Sequence, residues 1–341
     1  MKKILVFGSN GLVGKSLKRK LENEYGPKYL FFSNRNDTDL FSYEETKKTI
    51  DTFEPDVLIN AAAKVGGIYA NNLQRTEFLI ENLKINLNIL ESCIEHKNTL
   101  IVNLGSSCIY PLNAPNPIKE SSIMTGALEP TNSPYAMAKL TSIELANSLN
   151  IQFGHTVVNL MPTNLYGPED NFSDMDSHVI PGLMNKMHRA KEKNEKTFEI
   201  WGSGKPKREF MHVDDLANAI DYVIKNKIEE PLINIGSSEE VTISELTLLL
   251  KDIIGFDGEI KFNKNMPDGN PRKLLDSSMM RKFGWIPKID LKNGLKQTLE
   301  EFDNIITTDE QNISEINKKI KITRKKSKTK IKETKDGNNT I

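Results

Sequence analysis

Short, almost wholly apolar runs alternate with longer amphipathic stretches through the first half of the chain. The runs are rich in β-branched and aromatic residues and predict buried strands: KILVF (3–7), YLFFS (29–33), DVLIN (56–60), TLIVNL (99–104) and HTVVNLM (155–161). Between them, helical spacing of apolar residues predicts helices over 42–53, over 78–96 and after Pro134. The first of these opens with the capping box Ser42-Tyr-Glu-Glu45. This alternation predicts βαβ units and an α/β fold built on a doubly wound parallel sheet.

A glycine-rich turn lies between the first predicted strand and the first helix. The segment VFGSNGLVG places glycines at positions 8, 11 and 14. Small residues let the backbone turn tightly and approach a pyrophosphate, which then lies on the positive N-terminus of the helix. The order of strand, turn and helix therefore predicts a dinucleotide-binding domain of the Rossmann type. We expect its cofactor contacts in the turn itself: Gly8, Ser9, Asn10, Gly11, Leu12, Val13 and Gly14.

The second predicted strand ends without the acidic residue that binds the ribose 2′-hydroxyl of NAD in many such domains. The segment FFSNRNDTDL places Arg35 there instead, about 20 residues past the glycines. An arginine can pair with a 2′-phosphate. Arg35 therefore favours NADP over NAD, with an exposed arginine in a polar loop as the alternative.

The second half of the chain is less regular. FEIW (198–201) and PLINIG (231–236) predict strands, and the capping box Thr242-Ile-Ser-Glu245 opens a helix that runs to about Ile254. Because 341 residues suit two domains that share a core, we predict a Rossmann domain over 1–168 and 208–236, with 208–236 returning to the large sheet. A smaller, partly interleaved substrate domain takes 169–207 and 237–303.

Charge is unevenly distributed along this neutral chain. Residues 306–341 contain ten basic and five acidic side chains and few apolar ones, which predicts a Lys-rich, disordered tail. A nucleic-acid or membrane-surface role of the tail is the alternative. The remainder carries a net charge of about −5, which argues against a nucleic-acid groove.

Membrane and secretory signals are not expected. No apolar run approaches the roughly 20 residues of a membrane span, and the run ILVF near the start is too short for a signal peptide. Two cysteines give neither a disulfide framework nor a metal-binding spacing. We therefore expect a cytoplasmic protein without a metal site.

SPYAMAKL (133–140) places Tyr135 and Lys139 four residues apart, on one face of the third predicted helix. A phenol has a pKa of about 10, and a nearby ammonium and nicotinamide ring favour the phenolate. Tyr135 is then suited to exchange a proton with a substrate oxygen, which Ser106 can also hydrogen-bond. With the glycine turn, this combination predicts a Ser–Tyr–Lys catalytic group, and a surface pair on a helix is the alternative.

One of the two cysteines lies in GSSCIYP (105–111), directly after the fourth predicted strand. Cys108 is two residues from Ser106, so both side chains can face one substrate. A thiol has a pKa of about 8.5, and a nearby positive charge can draw it toward neutrality. Cys108 is thus a candidate base, with a buried packing residue as the alternative, whereas Cys93 in a helical pattern is predicted to be core.

Seven segments resemble the GDP-L-fucose synthase family, extended short-chain dehydrogenase/reductases that act on nucleotide sugars. They are AAAKVGGI (61–68), GSSCIYP (105–111), LEPTNSPYAMAK (128–139), MPTNLYGP (161–168), SHVIPGL (177–183), WGSGKPKREFMHVDD (201–215) and PDGNPRKLLD (267–276). The likeness runs to about residue 303 and leaves out the tail. It implies a homodimer that converts GDP-4-keto-6-deoxy-D-mannose to GDP-L-fucose, by epimerisation at carbons 3 and 5 and NADPH-dependent reduction of the 4-ketone.

The resemblance also implies roles for individual residues. Epimerisation beside a ketone needs a base on one face and an acid on the other; Cys108 matches the family's base and His178 its acid. The implied nucleotide-sugar contacts are Lys186, Trp201, Arg208 and Asp276. Further implied cofactor contacts are Asp39, Leu40, Ala62, Ala63, Lys139, Pro162, Asn164, Leu165 and His178. At Lys186 many members carry arginine, and at Asn10 some carry a basic residue, which leaves Arg35 as the main determinant of NADP.

Three alternatives stay open on the sequence. A 4,6-dehydratase of this superfamily would be expected to have Asp-Glu after the Ser or Thr of the fourth strand, where this chain has Ser107-Cys108. A nucleotide-sugar 4-epimerase needs no acid–base pair, so Cys108 with His178 argues against it. An inactive nucleotide-binding regulator would not need the Ser–Tyr–Lys group.

Overall fold

The structure, a computed structural model, describes residues 2–173, 176–266 and 268–307. Its first half alternates strands and helices as predicted. In chain order these are β1 (Ile4–Phe7), α1 (Leu12–Glu24), β2 (Leu30–Ser33), α2 (Tyr43–Phe53), β3 (Val57–Asn60), α3 (Ile68–Leu73), α4 (Arg75–Ser92), β4 (Leu100–Leu104), α5 (Ser133–Phe153) and β5 (Thr156–Pro162). All five predicted strands are confirmed to within a residue at each end.

The second half adds shorter strands and further helices. They are β6 (Asn164–Tyr166), α6 (Val179–Glu192), β7 (Thr197–Trp201), β8 (Lys207–His212), α7 (Val213–Asn226), β9 (Leu232–Ile235), β10 (Glu240–Thr242), α8 (Ile243–Ile254), β11 (Glu259–Asn263), β12 (Arg272–Lys273) and α9 (Ser278–Lys282). The predicted capping box forms at α8, where Thr242 and Glu245 bond reciprocally. At α2 only half of the box forms, because the Glu45 carboxylate accepts from the Asp39 amide instead.

Six parallel strands form the central sheet, in the order β2-β1-β3-β4-β5-β9. Along β1, Ile4 and Val6 face one apolar cluster, which includes Leu17 of α1 and Ile220 of α7. Leu5 and Phe7 face the other cluster, with residues of α2, α4 and α5. Since both faces of the sheet are covered, its strands are continuously apolar. The predicted doubly wound α/β fold is confirmed, as is the core position of Cys93.

A row of buried asparagines crosses this sheet. Asn60, Asn103 and Asn159 stand in register on β3, β4 and β5. The Asn60 amide nitrogen donates to the Asn103 side-chain oxygen at 3.0 Å, and that of Asn103 donates to Asn159 at 2.8 Å. Asn103 also donates to the hydroxyl of Ser142 on α5 at 2.9 Å. We call these four residues the asparagine row; it links three strands to the helix that carries Tyr135 and Lys139.

Smaller sheets lie outside this central layer. β8 pairs with β10, β12 and β6, and β7 pairs with β11. The prediction that 208–236 returns to the large sheet holds for β9 but not for β8. The reason is physical: β8 begins with the charged Lys207 and Arg208, which suit a partly solvated sheet rather than one covered on both faces.

Residues Met1–Thr298 form one compact unit, and the domain limits within it stay a prediction. A second unit begins at Leu299, and its described residues, 299–307, are helical. The predicted tail lies outside the described residues from position 308 onward. In the described ranges no helix combines the length and apolar character that crossing a membrane requires.

Candidate active site

The glycine turn between β1 and α1 is packed against its surroundings at two of its three glycines. Gly8 has φ +81°, and a Cβ there would lie 2.7 Å from the Ala62 backbone. A Cβ on Gly14 would collide with the carbonyl oxygen of Gly8. Gly11 differs, because the nearest atom to a Cβ there would be the Gly8 oxygen at 3.5 Å. Open space therefore remains beside Gly11, where a ligand can approach the backbone.

The N-terminus of α1 opens onto this space. Gly11 is the N-cap of α1 and has no side chain to bond the first amides, and the first turn of α1 contains no acidic residue. Its first N–H groups and the positive end of the helix dipole are thus available to an anion. The turn fits the pyrophosphate of a dinucleotide, which these amides would hold. Ser9 is buried there, Asn10 is exposed, and Leu12 and Val13 are half-buried.

Arg35 lies in the loop after β2, which is tied to the glycine turn. The amides of Gly8 and Ser9 both donate to the Ser33 carbonyl at 3.1 Å. The loop is shaped by Asn34, whose side chain accepts from the Asn36 amide at 2.8 Å. Arg35 is exposed and has no hydrogen bond or ion pair to any described residue. Its guanidinium is therefore free to pair with a phosphate next to the turn.

The other predicted cofactor residues divide into two groups. The first group is Asp39 and Leu40, which follow the Arg35 loop, and Ala62 and Ala63, which follow β3. The Ala62 backbone packs against Gly8 of the glycine turn. The second group lies where β5 passes into β6: Pro162, Asn164 and Leu165. There the Asn164 amide nitrogen donates to the Glu209 carbonyl at 2.8 Å. Because parallel strands all end at the same edge of a sheet, both groups lie along the edge where dinucleotides bind.

Ser106, Tyr135 and Lys139 are brought together between the end of β4 and the first turns of α5. The Ser106 hydroxyl accepts from the Cys108 amide at 3.3 Å and hydrogen-bonds the Tyr135 phenol. Lys139 Nζ lies 6.0 Å from the centroid of the Tyr135 ring and donates to the Leu104 carbonyl at 2.7 Å. The predicted Ser–Tyr–Lys group thus forms one cluster at the carboxyl end of the sheet.

Burial has the largest effect on the pKa values of Tyr135 and Lys139. Burial raises the pKa of the Tyr135 phenol; Cys108 raises it further, and the hydrogen bond to Ser106 lowers it. Burial lowers the pKa of the Lys139 ammonium to about 8. The Lys139 ammonium is bonded to the Leu104 carbonyl, so burial has the largest effect at Tyr135. The shift toward the phenolate beside an ammonium and a nicotinamide ring stays a prediction. Tyr135 is held as a neutral phenol, which is a proton donor.

Cys108 lies on a single 3₁₀ turn after Ser106, half-buried beside the Tyr135 phenol. Two donors that the sequence did not indicate approach its sulfur. The Asn132 amide nitrogen is 3.5 Å from Sγ, and the Lys273 ammonium is 3.7 Å from it. Lys273 is 165 residues away along the chain. Only the fold brings it here, so no local pattern could have indicated it.

His178 is the N-cap of α6. The loop that leads into it contacts the loop before α3. The Gly67 amide donates to the Asp176 carbonyl at 3.1 Å, and a Cβ on Gly67 would lie 2.6 Å from the Ser177 carbonyl oxygen. The imidazole reaches solvent, yet the protein that surrounds it lowers its pKa. In the described residues no hydrogen bond joins His178 to Cys108, so the two predicted acid–base partners are not in direct contact.

The predicted nucleotide-sugar residues fall into two places. Lys186 Nζ lies 6.0 Å from the centroid of the Trp201 ring, and that ring is 69% exposed. Arg208 stands beside Lys273 in the pairing of β8 with β12. Asp276 follows β12 and accepts from the Ser278 amide at 3.0 Å. Arg208 is thus close to the Cys108 cluster, whereas no described contact connects Lys186 and Trp201 with it.

Comparisons with known proteins identify the family of this chain. The chain matches the NAD dependent epimerase/dehydratase family over residues 4–236. GDP-L-fucose synthase 1 of Arabidopsis thaliana is 45% identical over 298 residues, which cover 87% of this chain and 92% of the relative.

Two solved structures share the fold over most of their length. A GDP-6-OMe-4-keto-L-xylo-heptose reductase from Campylobacter jejuni has a TM-score of 0.82 and 33% identity, over 89% of this chain and 98% of that one. A GDP-L-fucose synthetase from Naegleria fowleri bound to NADP has a TM-score of 0.79 and 26% identity, over 89% and 95% of the two chains. The chain therefore belongs to the NAD-dependent epimerase/dehydratase family and, within it, to the GDP-L-fucose synthases.

Proposed function

We propose that this enzyme converts GDP-4-keto-6-deoxy-D-mannose to GDP-L-fucose, by epimerisation at carbons 3 and 5 and reduction of the 4-ketone with NADPH. The observation that carries the proposal is the cluster of Ser106, Tyr135 and Cys108 at the end of β4. A proton donor for a ketone oxygen and a thiol that can act as a base stand there side by side. One substrate carbonyl can then be the focus of both reactions.

Epimerisation requires that a proton leaves and returns on opposite faces. The Cys108 thiolate removes the proton from a carbon beside the ketone and becomes a thiol. The electron pair left behind forms an enolate, whose negative charge rests on the 4-oxygen near Tyr135 and Ser106. His178, as imidazolium, returns a proton from the other face and becomes neutral. The lowered pKa of His178 favours the neutral ring, and an anionic group of the bound nucleotide sugar close to the ring would raise that pKa.

Reduction uses the other half of the cluster. NADPH, which the glycine turn and Arg35 would hold, would supply the hydride that reduces carbon 4. The Tyr135 phenol donates its proton to the oxygen that becomes the alcohol, and the Ser106 hydroxyl hydrogen-bonds the same oxygen. The Lys139 ammonium, one helical turn away, stabilises the phenolate that Tyr135 leaves. The raised pKa of Tyr135 suits a group that begins this step protonated.

NADPH is the nicotinamide cofactor that we propose, on the strength of the Arg35 loop. Arg35 is the exposed cation next to the glycine turn, and no acidic residue stands at its position. The NADP in the Naegleria fowleri relative is consistent with this choice. Nucleotide-sugar binding falls to Lys186, Trp201, Arg208 and Asp276, which combine an aromatic face with cations suited to a diphosphate.

We also propose that the enzyme works as a homodimer in the cytoplasm. Exposed apolar side chains on α4 (Ile80 and Leu87) and α5 (Met137 and Ile151) offer surface that a second copy could cover. The reducing setting suits a site that depends on a free thiol.

The test is to incubate the enzyme with GDP-4-keto-6-deoxy-D-mannose and NADPH in deuterated water and to identify the product by NMR. We expect GDP-L-fucose with deuterium at carbons 3 and 5. Tyr135→Phe should lower reduction by about 10²- to 10⁴-fold, the usual effect of losing general acid catalysis, while exchange continues. Cys108→Ser should lose exchange and slowly give the unepimerised 4-reduced sugar, because a serine hydroxyl supplies almost no anion at neutral pH.

Each alternative has its own outcome. Full deuterium incorporation at both carbons by Cys108→Ser would contradict the role of this cysteine, and wild-type NADPH consumption by Tyr135→Phe would contradict that of the phenol. A dehydratase or 4-epimerase would leave NADPH unconsumed. An inactive regulator would bind the nucleotide sugar without consuming it.

A further inference from the structure

The sulfur of Cys108 lies between two nitrogen donors from distant parts of the chain. Asn132, just before α5, is 3.5 Å from Sγ, and the ammonium of Lys273 on β12 is 3.7 Å from it. The other titratable group that interacts with Cys108 is the Tyr135 phenol, which burial keeps neutral. Of the two donors that reach the sulfur, Lys273 carries a positive charge and Asn132 is neutral. On the Asn132 side, the Glu129 carboxylate accepts from the Asn132 backbone amide at 3.1 Å.

The fold holds Lys273 firmly in this position. β12 pairs with β8 so that Lys273 stands beside Arg208. The next two amides are anchored as well: Leu274 donates to the Asn116 side chain at 2.8 Å, and Leu275 donates to the buried Glu209 carboxylate at 3.0 Å. These bonds fix the backbone next to Lys273, and the half-buried lysine side chain reaches the sulfur from there.

The ammonium of Lys273 is also not neutralised by a carboxylate. Its neighbour Arg272 points the other way and pairs with Glu240 at 2.8 Å. Among the described residues, Lys273 has no acidic group within ion-pair distance, and the Cys108 sulfur is its recorded hydrogen-bond partner. The Lys273 ammonium therefore has the Cys108 sulfur, 3.7 Å away, as its polar neighbour.

We propose that Lys273 is the positioning residue that keeps Cys108 as a thiolate, with Asn132 as a second donor to the same sulfur. The inference rests on the proposed function, because it explains how the base of that reaction is available at neutral pH. An opposite charge within about 4–6 Å favours the ionised form of a group, and a lysine next to a cysteine favours the thiolate. The thiol proton goes to solvent, the thiolate then accepts the proton of the sugar carbon, and Lys273 keeps its own proton throughout.

The test measures the thiolate directly, without the sugar. The rate at which iodoacetamide alkylates Cys108 is followed against pH in the full chain, by mass spectrometry of the peptide that contains this cysteine. Because only the thiolate reacts, Lys273→Met should shift the profile to higher pH by about one unit and slow alkylation at neutral pH by about tenfold. Lys273→Arg should restore most of the rate. Arg272→Met is the matched control, since it removes a positive charge from the same strand without touching the sulfur.

Superimposable profiles for Lys273→Met and the wild-type protein would overturn the proposal. If thermal melts show that Lys273→Met is not folded, Lys273→Gln takes its place. A second measurement separates this inference from the proposed function: deuterium incorporation into the sugar should fall about tenfold in Lys273→Met, in step with the alkylation rate. No incorporation by the wild-type enzyme, with the alkylation shift still present, would reject the epimerisation and keep the role of Lys273. Incorporation that falls without any alkylation shift would mean that Lys273 binds substrate instead.

Discussion

The ammonium group of Lys139 is almost fully enclosed, since the residue is only 2% exposed. Burial of a charge costs folding free energy, and here it lowers the pKa to about 8. An apolar residue at this place in α5 would be more stable. The role that we propose for Lys139 in the reaction would explain a buried charge that costs the fold stability, as active-site residues often do.

This cost should be visible in the pH dependence of stability. Because the folded pKa is about 8 and the unfolded one is that of a free lysine, the unfolded chain binds more protons between these values. Stability from this group therefore rises with pH above about 8. Relative to wild type, Lys139→Met should be more stable at pH 7 than at pH 10, by about 3 kcal/mol when each pKa unit is converted at about 1.4 kcal/mol.

Urea unfolding of both proteins at several pH values measures this difference. Lys225→Met is the control, because its ammonium is exposed and paired with acidic residues. A constant difference between Lys139→Met and wild type from pH 7 to pH 10 would show that the buried ammonium keeps its ordinary pKa.

Arg35 decides between the two nicotinamide cofactors if it binds the 2′-phosphate. A lost charge-assisted hydrogen bond of about 1.5–3 kcal/mol predicts that Arg35→Ala weakens NADPH binding roughly ten- to a hundredfold. NADH binding should hardly change, since NADH lacks the phosphate. Titration calorimetry with each cofactor measures both affinities, and Lys28→Ala, an exposed cation before β2, is the control. Equal losses for NADPH and NADH would make Arg35 a structural residue.

Site residues that are close along the chain could be predicted, and those that meet only in the fold could not. Ser106 and Cys108 follow one strand, and Tyr135 and Lys139 share one helix face, so local spacing was enough to group them. Lys273 and Asn132 have no such signal. Their contacts with Cys108 depend on the pairing of β12 with β8 and on the turn before α5. Long-range strand pairing is what one sequence does not reveal.

At the scale of the elements, one substitution in the asparagine row can remove several buried hydrogen bonds at once. Asn103 uses both ends of its amide: its oxygen accepts from Asn60, and its nitrogen donates to Ser142 and Asn159. All four residues are buried. A buried polar group without a partner costs about 1–3 kcal/mol, so these bonds stabilise the sheet and fix α5 against β4 at the same time.

Asn103→Leu should therefore lower the free energy of unfolding by about 3 kcal/mol or more, because it leaves several buried groups unpaired. It should also lower turnover, since α5 carries Tyr135 and Lys139. Chemical denaturation measures the first effect and NADPH consumption the second. Asn226→Leu makes the same substitution on the exposed end of α7 and should change stability by less than about 0.5 kcal/mol. Equal effects of the two variants would contradict this role of the asparagine row.

Element type could be predicted where a segment is covered on both faces. The five apolar runs of the central sheet could be predicted because a continuously apolar strand is recognisable by itself. β8 was harder: its first two residues are charged and suit a partly solvated sheet, but its last four are buried. Its place is seen only from its pairing with β6, β10 and β12. The short β10 and β12 carry too few residues for a pattern to form.

At the scale of the molecule, the chain leaves the central sheet and comes back to it. β5 ends at Pro162, the chain then builds β6, α6, β7, β8 and α7, and β9 returns beside β5. Neither the central sheet nor the group of smaller sheets comes from one continuous segment of the chain. Cleaving the chain at one point therefore cannot separate them. The sequence predicts interleaved domains from FEIW, PLINIG and the capping box of α8, and their limits stay a prediction.

This return has a consequence during synthesis. Sixty-nine residues separate Pro162 from Leu232, so at about 5–20 residues per second a ribosome needs roughly 3 to 14 seconds to deliver the partner of β5. Until then the edge of β5 that pairs with β9, residues 159–162, has no partner, and an unpaired edge is the kind that pairs readily with other chains. The stretch of translation between these two strands is thus when a chaperone has most to gain by holding the growing polypeptide.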